Sequence, residues 1–219
     1  MCGRYSNYAP HSRVTRQLHI ELDEVGDQGT RYNIPPGTQQ PAAMPVEGKR
    51  ALTNLLWGFR PGWADETKPA PINARAETVA RSPYFRSAFA NRRCLIPSSG
   101  WFEWQKTGRG KAPYFIHPVD DDLLCYGGIY EPATETRPAS FAIITTAAKG
   151  ELASVHDRMP LVLAPSCWDD WLDPSLTSRD DIKAVTRAID IDELAMHPVS
   201  TRVNTPKNDD ATLIEAVSS

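Results

Sequence analysis

Apolar and polar positions along this chain of 219 residues predict short strands separated by turns, with few helices. Segments rich in β-branched and aromatic residues, bounded by Gly, Pro and Asp clusters, predict five strands. They are Ala51–Phe59, Arg93–Trp104, Pro113–His117, Leu123–Tyr130 and Ser140–Thr146. Residues 107–110 read Thr-Gly-Arg-Gly, a turn composition, so we expect a hairpin between Trp104 and Tyr114.

Helix signals are few and short. We predict helices over Pro10–Leu18, Ser82–Phe89 and Ser178–Ile189, and a further one that begins at Ala164 and carries Trp168 and Trp171. Proline in the first turn is typical of two of these helix starts. No internal repeat or linker is visible, so we expect a single α+β domain over residues 1–219. Its core would be a mostly antiparallel sheet or barrel, with short flanking helices and acidic C-terminal helices that wrap the sheet.

Charge is divided unevenly between the two halves of the chain. The net charge is -3 and the apolar content is 41%, values typical of a globular protein. Residues 1–111, however, hold 16 basic and 9 acidic side chains, whereas residues 112–219 hold 8 basic and 18 acidic ones. Such asymmetry indicates a surface that faces a polyanion, although the total charge alone argues against a nucleic-acid partner.

Location and cofactors are predicted mainly from what the sequence lacks. It has no apolar leader and no run approaching the ~20 apolar residues that cross a bilayer, so we expect a cytoplasmic protein that does not enter membranes. The four cysteines are Cys2, Cys94, Cys125 and Cys167, and their scattered positions favour neither a disulfide framework nor a zinc site. No metal or cofactor is therefore expected, and three of these cysteines are interpreted as small core residues.

Cys2 is the first candidate for chemistry. Removal of Met1 would leave a cysteine with a free α-amine and a thiol, which titrate near ~8 and ~8.5 and so have an appreciable nucleophilic fraction at neutral pH. Such an aminothiol condenses with an aldehyde to a Schiff base, on which the thiol closes to form a thiazolidine ring. Alternatively, the thiol attacks an amide with the α-amine as its base. A cysteine that occupies position 2 by chance is the remaining interpretation.

Glu103 lies among aromatic residues in the sequence Gly100–Trp104. In a strand, Trp101 and Glu103 share one face while Phe102 and Trp104 share the other. A carboxyl group beside an indole is expected to have a raised pKa, which suits general acid–base catalysis. The alternative is a surface glutamate flanked by aromatic residues of a sheet.

A third candidate group is His156 with Arg158, in the sequence Val155–Pro160 after a possible short helix at Gly150–Ser154. A titratable imidazole and an anion-binding guanidinium within three residues could stabilise a developing charge and hold a phosphate. The alternative is structural, with His156 capping the helix and Arg158 paired to Asp157 or Glu151.

The sequence Ile72–Thr78 supplies the next polar pair. If this segment is extended, Asn73 and Arg75 share a face, giving an amide that orients a substrate and a guanidinium that grips an anion. The alternative is a capped loop. Nearby Pro and Trp loops with arginines close in sequence resemble the platforms that hold single-stranded nucleic acid, although Trp57 and Trp63 could equally be core residues.

Together, these segments resemble the SOS response-associated peptidase (SRAP) family over nearly the whole chain. Six motifs in order carry the resemblance: residues 1–4 (Met-Cys-Gly-Arg), Arg31–Gly37, Trp57-Gly58 with Pro61–Trp63, Ile72–Thr78, Gly100–Trp104 and His156–Pro160. The resemblance implies a protein that recognises abasic sites in single-stranded DNA and crosslinks to them. The open-chain sugar aldehyde would be trapped as a thiazolidine on the exposed cysteine, which shields the lesion, and self-removal of Met1 and crosslink reversal are implied as well.

The resemblance also implies roles for individual residues. Cys2 would be the nucleophile, Asn73 would orient the amine or the sugar, Glu103 would carry protons, and His156 would stabilise the sugar oxygen. The implied DNA contacts are Arg4, Arg75 and Arg158 to phosphates, with Pro36 and Trp63 against neighbouring bases. Ala64 departs from family members that have a second tryptophan there, which weakens the expected stacking. We expect a monomer that works without a cofactor.

Two other functions compete with this interpretation. An amidohydrolase with an N-terminal nucleophile also begins Met-Cys-Gly, but it leaves the motifs around Glu103 and His156 unexplained. A passive single-stranded DNA-binding module, in which Cys2 is incidental, is the second. Glutamine hydrolysis that depends on Cys2 would support the first, and retention of abasic DNA without Cys2 after denaturation would support the second.

Overall fold

The computed structural model describes residues 2–108 and 110–217, which form an α+β fold of mostly antiparallel strands. The strands are β1 Tyr5–Asn7, β2 Leu22–Asp23, β3 Arg31–Ile34, β4 Gln39–Val46, β5 Lys49–Trp57, β6 Asn73–Arg75, β7 Arg93–Ser98, β8 Gly100–Thr107, β9 Gly110–Pro118, β10 Leu124–Glu131, β11 Ser140–Ala147, β12 Arg158–Pro160 and β13 Leu194–Pro198. The α-helices are α1 His11–Gln17, α2 Arg86–Asn91, α3 Trp168–Leu172 and α4 Arg179–Val185. Short 3₁₀ helices cover Gly150–Ser154, Pro165–Cys167, Ile191–Glu193, Thr201–Asn204 and Ala211–Ile214.

The larger sheet closes into a barrel. Its strands follow the order β12-β11-β10-β7-β4-β5-β2, and β11 also pairs in parallel with β5, so that β11, β10, β7, β4 and β5 form a ring. Strand β6 pairs in parallel with β11 outside this path. The expected barrel-like core with short flanking helices is therefore confirmed, and closure removes the free edges of the ring strands.

The smaller sheet carries the N-terminus. Its five strands follow the order β13-β9-β8-β1-β3, and every pairing in it is antiparallel. Strand β1 thus lies between β8, which contains Glu103, and β3. The hairpin of β8 and β9 confirms the prediction for residues 104–114, although Arg109 of its turn lies outside the described residues.

The predicted strand Arg93–Trp104 is wrong as one element, because it divides between the two sheets. Strand β7 belongs to the barrel and β8 to the smaller sheet, with the break at Ser99, directly before Gly100. Gly100 has φ +153°, and a Cβ there would lie 2.5 Å from the ring of Phe115 and 2.6 Å from the carbonyl oxygen of Ile116. Only glycine fits this close approach of two backbones, which the apolar pattern did not reveal.

Alternating side chains place three apolar clusters on the two sheets. Ala43, Leu52, Leu95 and Ala142 face the helices, packing with Val14, Phe89 and Trp171. Cys94 and Ile96, on the opposite face of β7, belong to a second cluster, here called the Cys2 cluster, which contains Cys2, Tyr5, Trp57, Trp101, Tyr126 and Phe141. The third cluster consists of Phe102, Phe115, Val199, Val203 and Leu213. The predicted alternation along β8 is confirmed, since Trp101 and Phe102 enter different clusters.

The C-terminal prediction needs correction. The last predicted helix, Ser178–Ile189, ends early as α4 at Val185. Within residues 186–193 the chain turns back, so that Ala188 pairs with Leu163 and Asp190 caps the 3₁₀ helix Ile191–Glu193. Beyond α4, the described chain forms no further α-helix; β13 extends the smaller sheet and 3₁₀ turns cover its outer face. The second predicted helix is also displaced, since α2 begins at Arg86 rather than Ser82. Within residues 2–108 and 110–217, no helix has the length and apolar character needed to cross a membrane.

Arg93 joins two helices to the barrel although its side chain is buried. Its guanidinium donates to the carbonyl oxygens of Phe89 (3.0 Å) and Ala90 (2.7 Å) in α2, and to those of Trp171 and Asp173 (both 2.7 Å) at the end of α3. Four charge-assisted hydrogen bonds therefore satisfy carbonyl groups that the helix ends leave unpaired.

We predict that Arg93→Met lowers the free energy of unfolding by about 3 kcal/mol, because it leaves these buried carbonyl oxygens without donors. Urea denaturation followed by circular dichroism measures the change. The exposed Arg16 provides the control, since Arg16→Met should change stability by less than about 0.5 kcal/mol. Equal effects of the two substitutions would contradict the role assigned to Arg93.

Candidate active site at the N-terminus

Cys2 is held inside the protein by the strand that follows it. Its side chain is completely buried in the Cys2 cluster. Strand β1 pairs Tyr5 with Trp101 on β8 and with Ile34 on β3, and the ring of Tyr5 lies edge-on to Trp57 at 5.2 Å between ring centroids. The N-terminal segment is therefore fixed by backbone pairing on both sides. Met1, whose removal the family resemblance implies, lies outside the described residues.

Burial changes the chemistry expected of the Cys2 thiol. Desolvation raises the pKa of this thiol far above its ordinary value, and the negative charge of Glu103 raises it further. The backbone N–H of Arg4 acts in the opposite direction but is a smaller effect. The thiol is thus protonated at neutral pH, in contrast to the appreciable thiolate fraction expected from the sequence. Any reaction at sulfur here needs a partner that accepts the proton.

Asn73 lies against the main chain of Cys2. Strand β6 places it opposite Ile143 on β11, and its Nδ2 donates to the carbonyl oxygen of Cys2 at 2.8 Å. The Oδ1 of the same amide is buried and accepts no hydrogen bond from the described residues. One end of the amide therefore fixes the backbone of Cys2, and the other offers an acceptor beside it. The expected extended geometry of Asn73 and Arg75 is confirmed.

Glu103 is a buried carboxyl group within electrostatic reach of Cys2. It is 4% exposed on β8, and burial raises its pKa to about 7. The raised pKa predicted from its aromatic surroundings agrees with this environment, while a surface glutamate does not. At neutral pH the group is divided between its acid and carboxylate forms, so it can both donate and accept protons.

His156 lies on a segment that packs against β8. Gln105 of β8 donates to the carbonyl oxygen of Ser154 at 3.1 Å, which ties this segment to the strand that carries Glu103. The backbone N–H of Arg158 donates to Nδ1 of His156 at 3.0 Å. A carboxylate oxygen of Asp157 lies 2.9 Å from the same nitrogen. Burial lowers the pKa of His156, so the ring is neutral at pH 7.

Arg4 is tied to the C-terminal segment. Its Nη1 donates to Oδ1 of Asn33 (2.8 Å) and to the carbonyl oxygen of Val203 (2.9 Å), and burial lowers its pKa. Asn33 is fully buried and its Nδ2 donates to the carbonyl oxygens of Val203, Thr205 and Asn208. No local sequence feature assigns a role to Asn33, although it lies within the Arg31–Gly37 motif. Its partners are about 170 residues away, so no local pattern could reveal them.

The two other arginines of the predicted DNA contacts differ in their surroundings. Arg158 forms a bidentate ion pair with Glu77, with Nη1 and Nη2 at 2.7 and 3.0 Å from the carboxylate oxygens. Its Nη2 also donates to the carbonyl oxygen of Thr145 at 2.6 Å. The alternative pairing with Asp157 or Glu151 is not the one observed. Arg75 is exposed on β6 and acts on Glu77 through its charge.

Pro36 and Trp63 lie in loops and are separate from the four central residues, which are Cys2, Asn73, Glu103 and His156. Pro36 lines a cavity of about 500 Å³ whose walls also include Trp57 and Ile72, the residue before Asn73. Trp63 is 71% exposed and touches the ring of Tyr84 edge-on at 5.5 Å. Trp57 is a core residue and Trp63 is a surface residue, so the alternative of core packing holds for only one of them.

The structure thus brings Cys2, Asn73 and Glu103 together and packs the segment of His156 against the same strand. Once an α-amine is exposed on Cys2, this arrangement offers an amine, a thiol, an amide acceptor and a carboxyl group with a pKa of about 7. Such a set suits addition to a carbonyl carbon followed by loss of water. Among the described residues no cluster of three metal-ligating side chains is present.

Comparisons with known proteins agree with this arrangement. Residues 1–206 match the family described as SOS response associated peptidase (SRAP). The abasic site processing protein YoaM of Bacillus subtilis is 32% identical over 99% of this chain and 98% of its own length, and YedK of Escherichia coli, which has the same description, is 32% identical over 99% and 100%. A crystal structure of a Bacteroides thetaiotaomicron protein has a TM-score of 0.85 at 25% identity, covering 99% of this chain and all of its own.

The match of the family over nearly the full length and the identity to these relatives lead to one conclusion. The chain belongs to the SOS response associated peptidase (SRAP) family.

Proposed function

We propose that this protein recognises abasic sites in single-stranded DNA and traps them covalently through Cys2. The observation that carries the proposal is the buried N-terminal cysteine beside Asn73, whose amide is bonded to the Cys2 backbone, and Glu103, whose pKa is about 7. An abasic site in its open form presents an aldehyde, the group with which an aminothiol forms a stable ring. The names of the relatives, abasic site processing proteins, support the same substrate.

The first step is attack of the α-amine of Cys2 on the aldehyde carbon. The C–N bond forms, the oxygen takes up a proton, and loss of one water molecule gives a Schiff base. Glu103 accepts the proton of the α-ammonium as a carboxylate and returns a proton to the leaving oxygen as an acid. Asn73 Oδ1 holds the amine, and the ring of His156 stabilises the sugar oxygen.

Ring closure is the second step. The Cys2 sulfur adds to the same carbon, so a C–S bond forms while the imine nitrogen becomes an amine. Since burial keeps the thiol protonated, its proton must move to nitrogen during closure, through Glu103. The overall change is aldehyde plus aminothiol to thiazolidine plus one water molecule, with no oxidant and no cofactor.

Removal of Met1 precedes this chemistry, because an acylated α-amine is not nucleophilic. Water would add to the carbonyl of Met1 and release free methionine, with Glu103 as the proton carrier. Met1 removal is therefore the peptidase reaction that we assign to this chain.

All four central residues come from one chain, so the protein is proposed to act as a monomer. We propose that residues 1–219 form one domain and that the protein acts in the compartment that holds DNA.

The proposed DNA contacts follow from the surroundings of each side chain. Exposed Arg75 is suited to bind a phosphate directly, whereas Arg158 must share its guanidinium with Glu77. Arg4 is proposed to reach phosphate only through Nη2, because Asn33 and Val203 bind Nη1 and Nε is buried. Pro36 and Trp63 would lie against bases next to the lesion.

We predict that the protein forms a band that resists denaturation with a single-stranded oligonucleotide carrying one abasic site, and that Cys2→Ala abolishes this band. The substitution removes the sulfur needed for ring closure. A denaturing gel measures the product. If Cys2→Ala retained the full band, or if the wild-type protein formed none, the proposal would fail. Glutamine hydrolysis by the same preparation tests the amidohydrolase alternative.

A second prediction concerns pH. Proton transfer from the α-ammonium needs the carboxylate of Glu103, so the rate of crosslinking should fall as pH decreases through about 7. Glu103→Gln should lower the rate about 100-fold and remove this inflection, leaving only that of the α-amine near ~8. Single-turnover rates between pH 5.5 and 8.5 measure both effects. An inflection near 7 that persists in Glu103→Gln would contradict this role.

A third prediction separates Arg75 from its neighbours. Arg75→Ala should weaken binding to single-stranded DNA and reduce the slope of log K against log salt by about 1, because one phosphate contact is lost. Glu77→Gln should strengthen binding, since it releases Arg158. Lys183, exposed on α4 in the acidic half, is the control. A Lys183→Ala effect equal to that of Arg75→Ala would contradict a localised interface.

A further inference from the structure

Trp63 stands on a surface loop with little side-chain packing of its own. The Trp63 loop, residues 60–72, connects β5 to β6, and its base is closed by the hydrogen bond from Phe59 N to the carbonyl oxygen of Pro71 at 2.9 Å. Trp63 is the most exposed large apolar residue of the described chain, and Tyr84 is its ring neighbour. Its orientation must therefore come from the backbone that carries it.

Arg60 ties this loop from within. Its Nη1 donates to the carbonyl oxygen of Asp65 and its Nη2 to that of Lys68 at 2.6 Å. The Asp65 carboxylate in turn accepts from the backbone N–H and the hydroxyl of Thr67, at 2.9 and 2.7 Å. These contacts shape the second half of the loop, but none of them involves the residues directly before Trp63.

Arg137 supplies the contact that the first half of the loop needs. It comes from the connection between β10 and β11, and its Nη2 donates to the carbonyl oxygen of Gly62 at 2.5 Å. Nη1 makes a longer contact of 3.4 Å with the carbonyl oxygen of Pro61, and Nε lies 3.3 Å from a carboxylate oxygen of Glu66. One guanidinium thus holds the two residues that precede Trp63 and an acidic residue that follows it.

We infer that Arg137 is a positioning residue that holds Trp63 in the orientation in which it stacks on a DNA base. The inference rests on the proposed function, in which Trp63 lies against a base. Arg137 acts through the loop, because its side chain is only 20% exposed and its nitrogens already face Pro61, Gly62 and Glu66. An aromatic platform that is ordered before DNA arrives loses less conformational freedom on binding, so affinity is greater.

The planar fork of arginine is required for this role. Its two Nη atoms reach the carbonyl oxygens of consecutive residues while Nε faces Glu66 from the side. A lysine ammonium is a single point and reaches one carbonyl at a time. Arg137→Lys should therefore hold the loop partly, and Arg137→Ala should release it.

The test uses single-stranded DNA with a tetrahydrofuran abasic analogue, which has no aldehyde and binds without crosslinking. Arg137→Ala and Trp63→Ala should each weaken the affinity about tenfold, the expected loss of one stacked base. The double variant should be no weaker than Trp63→Ala, and Arg137→Lys should be intermediate. Fluorescence anisotropy measures the affinities of the wild type and the four variants. Wild-type affinity in Arg137→Ala, or additive losses in the double variant, would overturn the inference.

A second readout excludes a merely structural effect. With a natural abasic site at saturating DNA, Arg137→Ala should crosslink at the wild-type rate, because the residue positions the DNA platform and does not touch the reacting atoms. A lower saturating rate would overturn the inference. Arg179→Ala, at a partly exposed arginine of α4, is the matched control and should leave both quantities unchanged. Normal crosslinking with unchanged affinity in Arg137→Ala contradicts this inference alone, whereas absence of binding and crosslinking by the wild type contradicts the proposed function as well.

Discussion

The insertion of β1 between β8 and β3 is the interaction on which the site depends. Two backbone hydrogen bonds join the N-terminal segment to the segment around Gly100: Ser99 N to the carbonyl oxygen of Ser6 at 2.8 Å, and Phe102 N to that of Arg4 at 2.9 Å. A chain terminus ordinarily frays. Here it is paired on both sides, so a terminal amine and thiol can be placed beside a buried carboxyl group as accurately as groups on the interior of a strand.

Burial determines the kind of chemistry that this placement permits. The same desolvation raises the pKa of the Cys2 thiol and of Glu103 and lowers that of His156, so each group is held toward its neutral form. Reactions that separate charge are disfavoured there, while proton transfer from an ammonium to a carboxylate, which leaves both groups neutral, is favoured. Condensation of an amine with an aldehyde, followed by thiol addition, is a reaction of that kind because its steps exchange protons and release water.

Local patterns predicted the geometry of neighbouring residues better than the contacts between distant ones. The alternation along residues 101–104 and the extended segment 73–75 follow from neighbouring residues, and both are confirmed. The division of strand Arg93–Trp104 at Gly100 depends on Phe115 and Ile116 from another strand. The pairing of Arg158 with Glu77 and of Arg4 with Asn33 joins residues far apart in sequence, which composition and periodicity do not encode.

The mass of the intact crosslinked product tests the central claim most directly. After reaction with an oligonucleotide that carries one abasic site, we predict a species equal to the chain without Met1 plus the oligonucleotide minus one water molecule. Borohydride should not change this mass, because a thiazolidine has no imine to reduce. A product that retains Met1, or one whose mass rises by two hydrogens with borohydride as a Schiff base does, would contradict the account.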